Sequence, residues 1–280
     1  MKKILCSCLA AVICCGVMLM PVSADTIYEE PIDSNIIVSE ENVFLERNLS
    51  LDEQLDKILS SPYSTEAQKK AAIEKANYSK QILATYSKNA TLATNSDDST
   101  TTEYNATRNV PYYKQQNTYY CGPATTKQTL QHITGSSPTQ SALASSLGTT
   151  TAGTDGTRIV QYLNDTLPSS VYFIETPYTP KSMAVTTYRS LCVTNTPPIL
   201  RVKITSDQVS NSHPMNWYYT TNGHFMNISG QYTVNGYIVY EVTDPYIEYK
   251  SSTITSGKYR IRACTVYDSI MQHFAQHYYY

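Results

Sequence analysis

Residues 110–124 read VPYYKQQNTYYCGPA, from Val110 to Ala124, and this stretch decides the fold. Cys121 stands immediately before Gly122 and Pro123. Pro123 predicts the start of a helix, since a proline there has no N–H to leave unpaired, and Gly135 predicts its end. A thiol at a helix start faces unpaired backbone N–H groups and aligned peptide dipoles, which favour an anion. The thiolate is the reactive form. Gln115 lies six residues upstream. From the preceding loop its side-chain NH₂ and the Cys121 backbone N–H can aim at one spot, as an oxyanion requires.

A nucleophilic thiol needs a base that takes its proton and returns it to the leaving group. The chain has five histidines. His132 lies along the helix after Cys121, His273 and His277 fall in a predicted tail helix, and His213 precedes a proline in a Ser/Asn-rich loop. His224, at the head of the strand GHFMNISG, is the placed candidate. The hairpin that follows offers Asp244 as a partner. If Val234-Asn235-Gly236 forms a three-residue loop, Thr233 pairs with Tyr237 and Asp244 falls opposite Met226, on the His224 face. A two-residue Asn235-Gly236 turn puts the two on opposite faces, because register parity decides the side.

Around this centre, residues 137–147 and 157–167 predict two more helices, ended by Gly148 and Pro168. Strands are predicted at 171–175, 199–204, 224–230 and 237–243. Helices precede strands, which points to an α+β domain and not a wound α/β sheet. Gly153-Thr154-Asp155-Gly156 lacks the lysine and preceding strand of a phosphate loop and reads as a turn into a helix. The Tyr278–Tyr280 tail reads as an exposed terminus.

Toward the N-terminus the texture changes. Lys2 and Lys3, an apolar run from Ile4 to Met20 and the small-residue site Val22-Ser23-Ala24 predict a cleaved secretory signal over residues 1–24, with release to the outside and no lipid anchor. Residues 25–103 carry a charge of 7 − 15 = −8, against 12 − 8 = +4 for residues 104–280. A helix over 66–86 starts with a capping box between Thr65 and Gln68, and Ala72, Ala76, Leu83 and Tyr86 give it a narrow apolar stripe. Residues 87–102 read as a flexible linker, so the domain boundary is set there. The opposite charges suggest that 25–103 docks on the domain as a pro-region or serves as a spacer. Only Cys121, Cys192 and Cys264 remain after signal removal. An odd count leaves an unpaired thiol, and Cys192 and Cys264 are expected as two buried, unbridged thiols at a helix end and in a strand.

The run YYKQQNTYYCGPA, then SALASSLGT with GTDGTRIVQYL, then TPPILRVKI, GHFMNISGQ and NGYIVYEVTDP resembles, in order, the cysteine peptidase family typified by double-glycine leader peptidases. The resemblance spans Val110 to Pro245. It implies a papain-like fold, with the nucleophile at a helix start packed on an antiparallel sheet carrying His and Asp. By analogy the nucleophile falls on Cys121, the base on His224, the orienting carboxylate on Asp244 and the oxyanion donor on Gln115. The chain departs from the pattern at Tyr120, where an acid is common, and at Tyr246, where a Trp is common. It also has a second glutamine, Gln116, and a longer segment from Ser206 to Asn222. Leader-trimming members are fused to a membrane transporter, whereas the secretory start here implies another peptide substrate.

The expected reaction is amide hydrolysis through an acyl-enzyme, without cofactor or metal. Acyl transfer to an amine uses the same groups, and a non-catalytic peptide-binding or adhesion module is the alternative from another class. No Lys/Arg cluster suggests nucleic acid.

Overall fold

Ser50 and Glu53 cap each other, Ser50 Oγ accepting from Glu53 N at 3.2 Å and the Glu53 carboxylate from Ser50 N at 2.8 Å, and helix α1 (Leu51–Ser60) begins there. The expected Thr65/Gln68 box opens α2 (Glu66–Lys88) in the same way. The chain is described by a computed structural model over residues 49–88, 98–210 and 215–280. The predicted signal segment, residues 25–48 and His213 lie outside the described residues.

Further elements follow in the order β1 (Ala106–Thr107), α3 (Cys121–Thr134), α4 (Gln140–Ser146), α5 (Gly156–Thr166), β2 (Ile174–Glu175), α6 (Pro180–Cys192), β3 (Ile199–Ile204), β4 (Thr221–Val234), β5 (Tyr237–Thr243), β6 (Lys258–Arg262), α7 (Ala263–Gln272) and β7 (Tyr278–Tyr279). The fold class is α+β, as expected. The named strands pair antiparallel throughout, in a seven-stranded sheet of order β2-β7-β3-β4-β5-β6, with β1 added to β4. Alternate residues of the strands feed two cores. Ile199, Phe225 and Tyr279 join Cys121 and the apolar faces of α3, α4 and α5. Leu200, Met226, Ile228 and Tyr278 join α6 and α7.

The β4–β5 turn takes the two-residue form, with Val234 paired to Tyr237 and positive φ at Asn235 (51°) and Gly236 (78°). Both residue types tolerate that left-handed backbone, which matches the twist of the strands. The three-residue loop is therefore corrected. A β-bulge between Ile228 and Gly230 then shifts the register by one, so that Asn227 pairs with Thr243. The parity lost at the turn is recovered at the bulge. The extra residue is Ser229, whose carbonyl accepts from Arg108 N at 2.7 Å.

Three other expectations change. Residues 98–102 of the expected linker are tied down: buried Asp98 pairs with Arg262, and Thr100 N donates to Gly236 O at 2.8 Å. The Tyr278–Tyr280 tail is not an exposed end but a strand inserted between β2 and β3, its three rings fully buried. Cys264 sits in the first turn of α7 and not in a strand; Cys192 and Cys264 are free thiols, exposed and half-buried respectively, so their expected burial is corrected.

Helices α1 and α2 are part of the same compact unit. Ile58, Ala72 and Ala76 belong to the α6/α7 core. The Gln54 side chain takes both backbone groups of Ile174 at 2.7 Å each, covering the β2 edge. Gln68 Nε2 donates to Asn164 O and Leu167 O at 2.6 Å each, and Lys75 Nζ to Val171 O at 2.7 Å. No hydrogen bond described for residues 49–88 reaches Gln115, Cys121, His224 or Asp244.

Candidate active site

Cys121 is the first residue of α3, so the helix opens two residues before Pro123, which sits harmlessly in its first turn. A Cβ on Gly122 would collide with the Thr154 side chain, so only glycine lets the 149–155 turn close on this helix start. Burial pushes the Cys121 thiol up. A hydrogen bond and charge from His224, joined by the backbone of Phe225 and Gly122, outweigh burial and hold the thiol below its ordinary value.

His224 lies in the opening stretch of β4 and is buried. Its Nε2 is 2.8 Å from Asp244 Oδ1, which leaves Nδ1 for the thiol. Burial opposes charging of the ring, but Asp244, by charge and hydrogen bond, and then Cys121 raise its pKa to about 10. Asp244 is itself fully buried, and burial pushes its carboxyl up. His224 and the donors Tyr246 N–H and Tyr219 O–H reverse that and hold it below the usual carboxylate range. Tyrosine rings wall the imidazole: Tyr219 and Tyr246 each have centroids 6.0 Å from it. Tyr246, at the position where the resemblance expects a Trp, thus shields the His224–Asp244 pair.

Gln115 and Gln116 separate cleanly. Gln115 is buried, its backbone N donates to Pro245 O at 2.9 Å, and its Nε2 donates to Asn117 O at 2.6 Å, leaving a second N–H on that nitrogen. Gln116 is exposed, and its backbone N donates to Gln140 Oε1. The loop is held from behind by Gln140 Nε2 on Lys114 O at 2.7 Å and Gln128 Nε2 on Tyr113 O at 3.2 Å.

A buried polar knot joins the thiol's helix to the imidazole's strand. Asn227 Nδ2 donates to Thr125 O at 3.2 Å and Gln128 Oε1 at 3.0 Å, while Asn227 Oδ1 accepts from Thr129 Oγ1 at 2.9 Å. Thr125 Oγ1 donates to Phe225 O at 3.0 Å. Every partner is buried, so a shift of α3 along β4 would strand several polar groups.

A match to the model of the Peptidase_C39-like family covers residues 107–278. The chain belongs to that family. As a C39-like chain it is a papain-like cysteine peptidase, and the observed arrangement, a thiol at a helix start against an antiparallel sheet bearing His and Asp, is the one the sequence predicts. No curated protein matches it. Among solved structures it is similar to the bromelain protease of Ananas comosus in complex with the E64 inhibitor, with 13% identity, 61% of this chain and 92% of that one covered, and a TM-score of 0.41. It is also similar to digestive procathepsin L 3 of Tenebrio molitor larval midgut, with 12% identity, 83% and 99% covered, and a TM-score of 0.38.

Of the sequence-derived residues, Cys121, His224 and Asp244 come together in this C39-like chain, and Gln115 lies on the adjoining loop through Pro245. The other described histidines stay apart. His132 contacts Asn109 and Asn195, while burial and Arg201 hold His273 and His277 far below the ordinary imidazole range. Tyr219 and Tyr259 join the site without any signal in the sequence, and Tyr246 joins it from the position where a Trp is common. Tyr219 and Tyr259 reach Asp244 across separations of 25 and 15 residues, whereas Tyr246 lies two residues beyond it in the Asp-Pro-Tyr order. Among the described residues, no group of His, Cys, Asp and Glu is placed to hold a metal ion.

Proposed function

We propose that the protein is a secreted cysteine peptidase in which Cys121 is nucleophile, His224 general acid and base, Asp244 the orienting carboxylate and Gln115 the oxyanion donor. One observation carries the reading: the buried His224 bridges the Cys121 thiol and a fully buried carboxylate, 2.8 Å from the latter. Such a chain stores the thiolate–imidazolium pair before substrate arrives. Attack of Cys121 Sγ on the scissile carbonyl carbon forms the S–C bond and moves an electron pair to the oxygen. The Cys121 N–H and the second N–H of Gln115 receive that charge. Collapse breaks the C–N bond as His224 gives its proton to the leaving amine. Water, deprotonated by the now neutral His224, then attacks the acyl carbon, and the C–S bond breaks to release the acid and restore the thiolate–imidazolium pair. Secretion rests on the Lys2–Lys3 start, the apolar run and the Val22-Ser23-Ala24 site.

Incubating wild type and Cys121→Ala with a peptide library, read by mass spectrometry, tests this. Fragments gaining one water, seen with wild type only, are expected. Products joined to an added amine indicate acyl transfer, and identical spectra for the two proteins contradict catalysis.

A further inference from the structure

We propose that Tyr219 and Tyr259 are positioning residues, two phenol hydroxyls that fill the second oxygen of Asp244 so that its first stays on His224. This rests on the proposed function, since it assigns a task within the same site. Asp244 Oδ1 accepts from His224 Nε2 and Tyr246 N, both at 2.8 Å. Its Oδ2 accepts from Tyr219 Oη and Tyr259 Oη, both at 2.7 Å. Two oxygens offer about four lone-pair directions, and all are taken. A carboxylate ligated in this way cannot turn about its own bond without breaking hydrogen bonds on both sides.

The four donors come from separate parts of the chain: β4, the turn after β5, the segment before β4, and β6. The segment before β4 is the one that the resemblance makes longer than usual, and it is anchored for this task. Trp217 Nε1 donates to Ser269 Oγ at 2.7 Å, and the Tyr218 ring meets Tyr259 edge-on at 5.1 Å. Both phenols keep their protons, because burial and the Asp244 charge raise them well above the ordinary tyrosine range. They are therefore donors at any working pH. The other titratable groups facing Asp244 are Cys121, reached through His224, and Tyr112, which also faces Glu248. Neither supplies a hydrogen bond to the carboxylate.

A buried tyrosine that simply satisfies its hydroxyl on the nearest acceptor gives the same contacts but a different titration. The discriminating measurement is the rate of Cys121 alkylation by iodoacetamide across pH, read by mass spectrometry on full-length wild type, Tyr219→Phe, Tyr259→Phe and the double variant. Loss of a donor makes Asp244 protonate earlier as pH falls, and the ion pair collapses with it. The acid limb of alkylation is expected to move up by about one pH unit in each single variant and further in the double, without a fall of the alkaline limb. An unmoved acid limb in a folded double variant overturns the inference. Tyr259→Phe, which keeps its ring packed on Tyr218, decides alone should the double variant not fold. A wild-type thiol that reacts only in the ordinary thiol range overturns the proposed function, and this inference with it.

Discussion

Asp244 reaches His224 at 2.8 Å because β4 carries one residue more than β5 at Ser229. From the Val234–Tyr237 end of the hairpin, unbroken pairing would turn Asp244 to the other face of the sheet. The bulge reverses that parity, and Arg108 N and the Glu241 side chain take up the Ser229 carbonyl and hydroxyl. Deleting Ser229 is expected to restore even register and remove the carboxylate from the imidazole. Peptidase activity should fall by roughly 10²-fold or more, with far-ultraviolet circular dichroism close to wild type. Retained activity would show that the bulge does not set the site.

Gln115 and Gln116 should differ sharply in kinetics. Gln115→Ala removes a buried side-chain donor and is expected to lower kcat by about 10²- to 10³-fold with little change in KM, whereas Gln116→Ala should leave both near wild type. Steady-state kinetics on a cleaved peptide settles which glutamine meets the oxyanion.

The pair also shapes stability. His224 is raised above its ordinary 6.5, so its contribution is full below that pH and is lost as pH rises through about 10. Cys121 is depressed below its ordinary 9.0, so its contribution is full above 9.0 and is lost as pH falls through the folded value. Between 6.5 and 9.0 the two slopes oppose each other, since folded and unfolded chains each hold one proton on the pair. Urea midpoints of wild type should be nearly flat there. Cys121→Ala removes the opposing slope and should lose stability steadily from pH 6.5 upward, while Asp244 keeps the ring raised.

Helices α1 and α2 contribute Ile58, Ala72 and Ala76 to the core. Removing residues 1–97 would expose the face that buries Ile58, Ala72 and Ala76 and strip Ile174, Asn164 and Val171 of their side-chain partners. A melting temperature lower by roughly 10 °C or more, with no gain in activity, is expected from a thermal scan and a peptide assay. Higher activity would instead support an inhibitory arm.

The order of thiol, imidazole and carboxylate was legible because each sits beside a local signal: Gly-Pro after Cys121, a strand start at His224, Asp-Pro at Asp244. Strands β3 and β5 matched residue for residue. The bulge was not legible, since Ser229 looks like any other member of an alternating run. The docking of helix α2 is hidden for a different reason: its buried side includes Gln68, Lys75 and Ser79, which hydrogen-bond to the domain and vanish from any apolar pattern. Helix α1 carries a local signal of its own, the Ser50/Glu53 box. Three successive tyrosines at 278–280 hide their alternation, with Tyr278 and Tyr280 stacked on one face of the sheet and Tyr279 on the other.

The most direct measurement is the ultraviolet thiolate absorbance of wild type minus that of Cys121→Ser, followed across pH. A stored ion pair predicts that the difference signal is already present at neutral pH and disappears only on acidification. A signal that rises only near 9.0, the ordinary thiol value, would mean that Cys121 and His224 hold no such pair.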